Sequence, residues 1–125
     1  MAEILYKEES FAIMGACFEV YRELGCGFLE AVYQESLQME LADRKIPFLP
    51  KVTLAITYKG RPLNSTFVPD LTCYEKIILE LKAVKALCDD HRAQVLNYLE
   101  ATSYRLGLLV NFGHYPKLEY ERFVL

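Results

Sequence analysis

The run Ile77-Ile78-Leu79-Glu80-Leu81-Lys82-Ala83-Val84 is apolar except for two charges, and Pro69-Asp70 precedes it, the aspartate ten residues ahead of Glu80. An ionised side chain is costly to bury unless it is paired or holds a metal, so a Glu and a Lys inside such a run call for an explanation beyond packing. Side chains alternate along a strand, which puts Glu80 and Lys82 on one face and Leu79, Leu81 and Ala83 on the other. One face is expected to be core and the other to hold chemistry. If residues 66–72 and 77–84 form a hairpin about a tight turn at Tyr74-Glu75-Lys76, a register symmetric about Glu75 sets Asp70 opposite Glu80. A slip of one residue separates them. Facing like charges destabilise a sheet, whereas a divalent cation between two carboxylates turns the repulsion into coordination. Lys82 would then point at water on the same ion. These three positions fit an ordinary surface hairpin with a Glu/Lys pair about as well, and the rest of the chain shifts the balance.

The 125 residues suffice for one domain, expected over residues 1–125, and 53% hydrophobic with 25% charged residues suits a soluble globular protein rather than a disordered one. No apolar segment runs long enough to span a membrane, and Met1-Ala2-Glu3-Ile4-Leu5-Tyr6-Lys7-Glu8-Glu9 lacks a signal peptide's basic start and apolar centre. A cytoplasmic location without membrane contact is therefore expected. Cys17, Cys26, Cys73 and Cys88 form no CxxC pair, which suggests neither a zinc knuckle nor a disulfide framework but reduced, mostly packed thiols. The net charge of -3 argues against nonspecific nucleic-acid binding by the whole surface, since that affinity comes from neutralising phosphates. Any such contact must be local. Lys59 and Arg61 at one turn, Lys82 and Lys85 beside the acidic pair, and His91-Arg92 at a helix start are the candidates, against scattered solubilising charge as the plainer account.

Ser10 caps a first expected helix with Phe11, Met14, Cys17, Phe18 and Tyr21 at helical spacing, ended by Gly25-Cys26-Gly27. A second, over residues 28–44, buries Leu29, Val32, Tyr33, Leu37 and Leu41, and the chain turns between Pro47 and Pro50. Val52, Leu54, Ile56 and Tyr58 alternate as in a half-buried strand, and Lys59-Gly60-Arg61-Pro62 turns into the strand that ends with Asp70. Beyond the strand with Glu80, Asp89 or Asp90 caps a helix to about Ser103, followed by a strand over residues 105–112 that is apolar on both faces. Gly113-His114-Tyr115-Pro116 turns into an edge strand with Leu118, Tyr120, Arg122 and Val124 alternating. The expected order is ααβββαββ, an α/β (α+β) fold with helices flanking a mixed sheet.

Pro69-Asp70 on one strand, Glu80-Leu81-Lys82 on the next and a helix after them resemble the PD-(D/E)XK nuclease superfamily. Gln94-Val95-Leu96-Asn97-Tyr98 looks like the QxxxY motif of RecB-like nucleases, its ends four residues apart and so on one helical face. Gly27-Phe28-Leu29-Glu30-Ala31-Val32-Tyr33 resembles the signature of the small GxxExxY proteins. That likeness runs from about Phe11 to Val124 and includes Tyr58-Lys59-Gly60, the segment from His91 to Leu99, and Gly107-Leu108-Leu109-Val110-Asn111-Phe112-Gly113.

The resemblance implies a restriction-endonuclease-like fold and a nuclease ancestry. It makes Asp70 and Glu80 metal-binding carboxylates, the Leu81 backbone carbonyl a further ligand, and Lys82 the residue that orients or helps deprotonate the attacking water. Mg2+ (or Mn2+) suits two carboxylates with positions left for water. Lys82 would act as a hydrogen-bond donor or, with a depressed pKa, as a base. Glu30 matches an acidic residue on an N-terminal helix that completes the metal shell directly or through water, against a solvated helix-face Glu; Tyr33 is more often core. Gln94 and Tyr98 would fix the active face of their helix and contact a substrate phosphate, against a polar pair supporting the sheet. His91, three residues before Gln94, would contact substrate phosphate or metal, against a satisfied structural histidine. The four cysteines do not match the iron-sulfur arrangement of some RecB-like nucleases.

The leading expectation is a divalent-metal-dependent nuclease that hydrolyses phosphodiester bonds, with nucleic acid as partner and specificity supplied by a homo-oligomer or a partner protein. The alternative is a non-catalytic nucleic-acid-binding or protein-interaction module that retains the nuclease fold; a third is hydrolysis of a smaller phosphoester. DNA against RNA, and end against internal cleavage, stay open.

Overall fold

A computed structural model describes residues 3–125; Met1 and Ala2, the first two residues of the N-terminal segment, lie outside them. The elements are α1 (Lys7–Leu24), α2 (Glu30–Asp43), β1 (Phe48–Pro50), β2 (Leu54–Tyr58), β3 (Arg61–Phe67), β4 (Leu71–Cys73), β5 (Ile77–Lys82), α3 (Asp89–Ala101), β6 (Leu106–Asn111) and β7 (Glu119–Val124). Five strands form one sheet in the order β1-β4-β5-β6-β7, while β2 and β3 pair separately as a hairpin. Among the described residues, only β5 and β6 run parallel in that sheet, and the crossover that joins them contains α3. The mixed sheet flanked by helices is the expected restriction-endonuclease-like architecture, with β5 at its centre.

The order differs from ααβββαββ in having five strands between α2 and α3. Phe48-Leu49-Pro50, expected to turn, pairs with β4 as an outer strand, the position where a proline without an N–H is tolerated. The single strand expected to carry the chain into Asp70 is split. β3 ends at Phe67, the segment Val68-Pro69-Asp70 steps out of one pairing, and β4 begins at Leu71 in the other sheet. Pro69, which cannot donate to a ladder, stands at the break.

The register expected about Glu75 holds: Leu71 faces Leu79, Thr72 faces Ile78 and Cys73 faces Ile77. Tyr74 and Glu75 make the turn with φ of 56 and 58.

Helix boundaries and faces depart further. α1 starts at Lys7, and Ser10 lies inside it, its hydroxyl donating to the Tyr6 carbonyl at 2.9 Å. Ile13, Met14, Ala16, Cys17 and Val20 face the core, whereas Phe11 is 82% exposed and Phe18 45%. The buried stripe is therefore rotated by about one residue, or ~100°, from the aromatic one. On α2, Tyr33, Leu37 and Leu41 are inaccessible, but Val32 is exposed, as is Leu29 just before the helix. Cys88, not Asp89 or Asp90, precedes α3; both aspartates lie in its first turn, where negative charge suits the helix dipole. Cys17 and Cys73 are packed thiols as expected, Cys26 and Cys88 exposed ones.

Two apolar layers cover the sheet. The larger joins α1 and α2 to Ile77, Leu79 and Leu81 of β5. The smaller places Phe67, Val95 and Leu99 over Ile78, with Leu54, Ile56 and Tyr98 packed around them. Ile78, two residues before Glu80 and four before Lys82, shares their face of β5, so those charges lie on the sheet face that carries α3 and the hairpin.

Candidate metal centre

The main-chain ladder between β4 and β5 stops at Leu71 and Leu79, and the next pair of residues continues it with side chains. The Asp70 N–H donates to Glu80 Oε1 at 3.0 Å, and the Leu81 N–H donates to Asp70 Oδ2 at 2.8 Å. Each carboxylate thus satisfies a buried N–H that strand pairing would otherwise have used. The Asp70 peptide is also held from outside: Gln34 Nε2 and the Lys51 N–H both donate to its carbonyl, at 2.8 and 3.2 Å. With the Lys51 ammonium, which donates to Asp70 Oδ1, backbone and side chain of Asp70 are fixed by five separate bonds before any ligand is considered.

Asp70 and Glu80 are 7% and 9% exposed, which makes their proximity costly. Burial, and next the neighbouring Asp70 charge, push the Glu80 carboxyl up to about 7. Lys82 and Lys51 pull it the other way, as does the Asp70 N–H. The Lys51 ammonium lies 2.9 Å from Asp70 Oδ1, and that contact raises the lysine's own pKa. Sequence reasoning passed over Lys51 because it stands in a loop between two short strands, and its φ of 54 shows how far the backbone turns there. Gln34 was also missed, although its position four residues after Glu30 puts both on one face of α2.

Glu30 opens α2 at the surface, and partial desolvation followed by the Asp70 charge raises its pKa. Its position follows from residues on either side. Gly27 takes φ of 114, available to glycine at little cost, and Tyr33 turns its hydroxyl back to the same loop. That hydroxyl donates to the Gly25 carbonyl at 2.5 Å and accepts from the Phe28 N–H at 3.3 Å, while the ring stacks on Phe112 with centroids 4.7 Å apart. Tyr33 is core, as expected, and it also sets the entry into α2.

The residues expected on α3 stand apart from the carboxylates in their bonding. His91 Nδ1 accepts from the Cys88 N–H at 3.2 Å, closing the helix start. Gln94 is exposed and its Nε2 donates to the Tyr98 hydroxyl at 3.2 Å. The Tyr98 ring stacks on Phe67 at the base of the hairpin. No hydrogen bond among the described residues joins these three to Asp70, Glu80 or Lys82, and Lys82 itself is half-buried at the end of β5.

No group of three or more His, Cys, Asp or Glu side chains among the described residues gathers as a metal cage. The donor set still suits a hard cation that retains water: two buried carboxylates clasped across adjacent strands, with a lysine ammonium already drawn to one of them. Cys17 and Cys73, the softer donors, are buried on the opposite layer with their thiols pushed up by burial. No helix among the described residues is long and apolar enough to cross a membrane.

No curated protein matches the chain. The crystal structure of SSO0001 matches it with a TM-score of 0.58 at 17% sequence identity, over 95% of this chain and 57% of that one. The likeness is one of fold, and this chain spans little more than half the length of that protein. A family model described as the PD-(D/E)XK nuclease superfamily matches residues 7–123, a span that takes in the clasped Asp70 and Glu80, Lys82 and all three helices. By that match, the chain belongs to the PD-(D/E)XK nuclease superfamily.

Proposed function

We propose that the protein is a divalent-metal-dependent nuclease of the GxxExxY kind, a single domain over residues 1–125 that hydrolyses phosphodiester bonds of nucleic acid. The reciprocal clasp of Asp70 and Glu80, with Lys82 two residues along on the Glu80 face, carries this reading. Nucleases of the superfamily generally use divalent metals, and Mg2+ or Mn2+ fits oxygen donors. Asp70, Glu80 and the Leu81 carbonyl would hold the ion, with Glu30 reaching it directly or through water. When bound, such an ion would supply Lewis acidity toward the phosphate and a bound water of lowered pKa. The chain's own part is to orient. Lys82 donates a hydrogen bond to the attacking water or to the phosphate, and the clasp keeps the carboxylates from rotating away. Gln94, Tyr98 and His91 would contact substrate along α3.

The Lys51 ammonium on Asp70 Oδ1 favours a second reading, a nucleic-acid-binding module in which the lysine takes the cation's place permanently. Magnesium- and manganese-dependent cleavage of labelled single- and double-stranded DNA and RNA separates the two. The wild type is compared with Asp70→Ala and Lys82→Met purified identically. Cleavage by the wild type that both variants lose establishes the nuclease; activity surviving in Asp70→Ala is contamination, and binding without turnover in all three establishes the module.

A further inference from the structure

From Arg44 to Pro69 the chain carries Arg44, Lys45, Lys51, Lys59 and Arg61 and no Asp or Glu, although its formal net charge is -3. The middle of this stretch is the β2–β3 hairpin. Both ends of the hairpin are rooted on the carboxylate clasp: Lys51 just before β2 and Asp70 just after β3 are joined by an ion pair and by a backbone hydrogen bond. Its base packs Leu54, Ile56 and Phe67 onto α3, on the sheet face that carries Glu80 and Lys82. Beyond that base it is open to solvent, residues 61–66 being exposed without exception.

The tip is built for projection. Tyr58 pairs with Arg61 across Lys59-Gly60, a two-residue turn with both φ positive (50 and 76), the tightest connection a hairpin allows. A register shift between Ala55 and Thr57 leaves Ile56 and residues 63–65 out of the pairing, the kind of irregularity at which a strand bends. At the end stand two cations, Lys59 resting over the Tyr58 ring and Arg61 beside it; neither takes part in an ion pair among the described residues. An acid-free arm ending in two free cations, fixed to the acidic pair and lying over the same face, complements a polyanion that runs past that pair.

We propose that the β2–β3 hairpin grips the substrate: a nucleic-acid backbone lies along it, Lys59 and Arg61 neutralise phosphates at its tip, and its root presents the phosphate to be cleaved to Asp70 and Glu80. This rests on the phosphodiesterase reading above. Strand geometry of ~3.3 Å per residue puts the tip on the order of 20–30 Å from Asp70, within one turn of a duplex. Lys51, at the root and 2.9 Å from Asp70 Oδ1, is the cation of this acid-free stretch that stands nearest the clasp.

The test is the affinity of labelled single- and double-stranded oligonucleotides, read by fluorescence anisotropy over a salt series in EDTA, where no cleavage occurs. The wild type is compared with the double variant Lys59→Glu, Arg61→Glu and with a control of equal charge change on the α1 side, Lys7→Glu, Lys117→Glu. Thermal unfolding verifies that each is folded. Loss of two phosphate contacts is expected to weaken binding by at least ~10-fold at low salt and to lower the slope of log K against log salt by about 1.4 to 1.8 in the hairpin variant alone. Equal losses in hairpin and control variants, no loss in either, or no binding by the wild type overturns the grip. A wild type that binds through the hairpin but cleaves nothing with Mg2+ or Mn2+ upholds the grip and removes the phosphodiesterase; a wild type that cleaves and whose hairpin variant binds unchanged does the reverse.

Discussion

Glu80 has the environment most at odds with its chemistry. Its carboxyl is pushed from an ordinary glutamate value up to about 7 by burial and by Asp70, so the folded state holds a proton that the unfolded chain has released. A group whose pKa is raised on folding stabilises the fold below its unfolded pKa, and that stabilisation is lost as pH rises through the folded pKa. Between about pH 4.5 and 7 the protein in EDTA is therefore expected to lose on the order of 3 kcal/mol from this group. Glu30, raised by desolvation and the same Asp70 charge, acts in the same direction. Urea unfolding at pH 5 and pH 8 is the measurement: Glu80→Gln should remove most of the difference, and an unchanged difference in that variant would place its source elsewhere. Divalent metal must displace the same proton, so the stabilisation by Mg2+ is expected to grow from pH 5 to pH 8. Tyr33 offers a different kind of prediction. Tyr33→Phe keeps the stack on Phe112 but removes the bonds to Gly25 and Phe28, and should cost about 1–3 kcal/mol while disturbing the start of α2, where Glu30 stands.

Strand β6 is buried along its whole length, and its last residue, Asn111, is a fully buried amide. Its Oδ1 accepts from the Val84 and Gly113 N–H groups, and its Nδ2 donates to Glu119 Oε1, which also accepts from the Leu87 N–H. This network secures the loop that leads from Lys82 to α3. Asn111→Leu keeps the branching of the side chain but orphans two N–H groups, so a loss of about 2–4 kcal/mol is expected in chemical denaturation. Gly113→Ala should be at least as harmful, because an added Cβ would come within 2.4 Å of the Val84 carbonyl oxygen. Such contacts explain what was and was not legible in the sequence. The Asp70–Glu80 pairing could be read because a strand has period two and a tight turn sets its register, and both hold here. The rotated face of α1 could not: Phe11, Phe18 and Tyr21 mark an aromatic stripe as regular as the buried one, and only the packing of Ile13, Ala16 and Val20 against the sheet chooses between them. Lys51 escaped because no periodicity governs a loop, and its meeting with Asp70 depends on β1 pairing with β4, a strand hidden between two prolines.

The sheet separates the layer of α1 and α2, which reaches the carboxylate clasp only through Glu30 and Gln34 near the start of α2, from the layer of α3 and the hairpin base. Leu37 of α2 and Leu99 of α3 are both inaccessible, yet they lie on opposite sides of β5. Truncating either to Ala removes comparable apolar contact, and each is expected to cost about 2–5 kcal/mol. The consequences should differ in kind. Leu37→Ala empties space between α2 and the sheet, away from the face of Glu80 and Lys82, and should lower the midpoint of unfolding while leaving the nucleic-acid affinity of the folded protein near that of the wild type. Leu99→Ala loosens the smaller layer, where Phe67, Ile78 and Val95 are its partners and where Phe67 stacks on Tyr98 to hold the hairpin base. Hydrogen exchange should then show lost protection at Leu54 and Phe67, the innermost pair of the hairpin, at denaturant concentrations where β5 and β6 are still protected. The oligonucleotide affinity should fall in that variant even at temperatures well below its unfolding transition. Equal loss of affinity in both variants would mean that the two layers act as one unit and that the hairpin has no separate hold on the substrate.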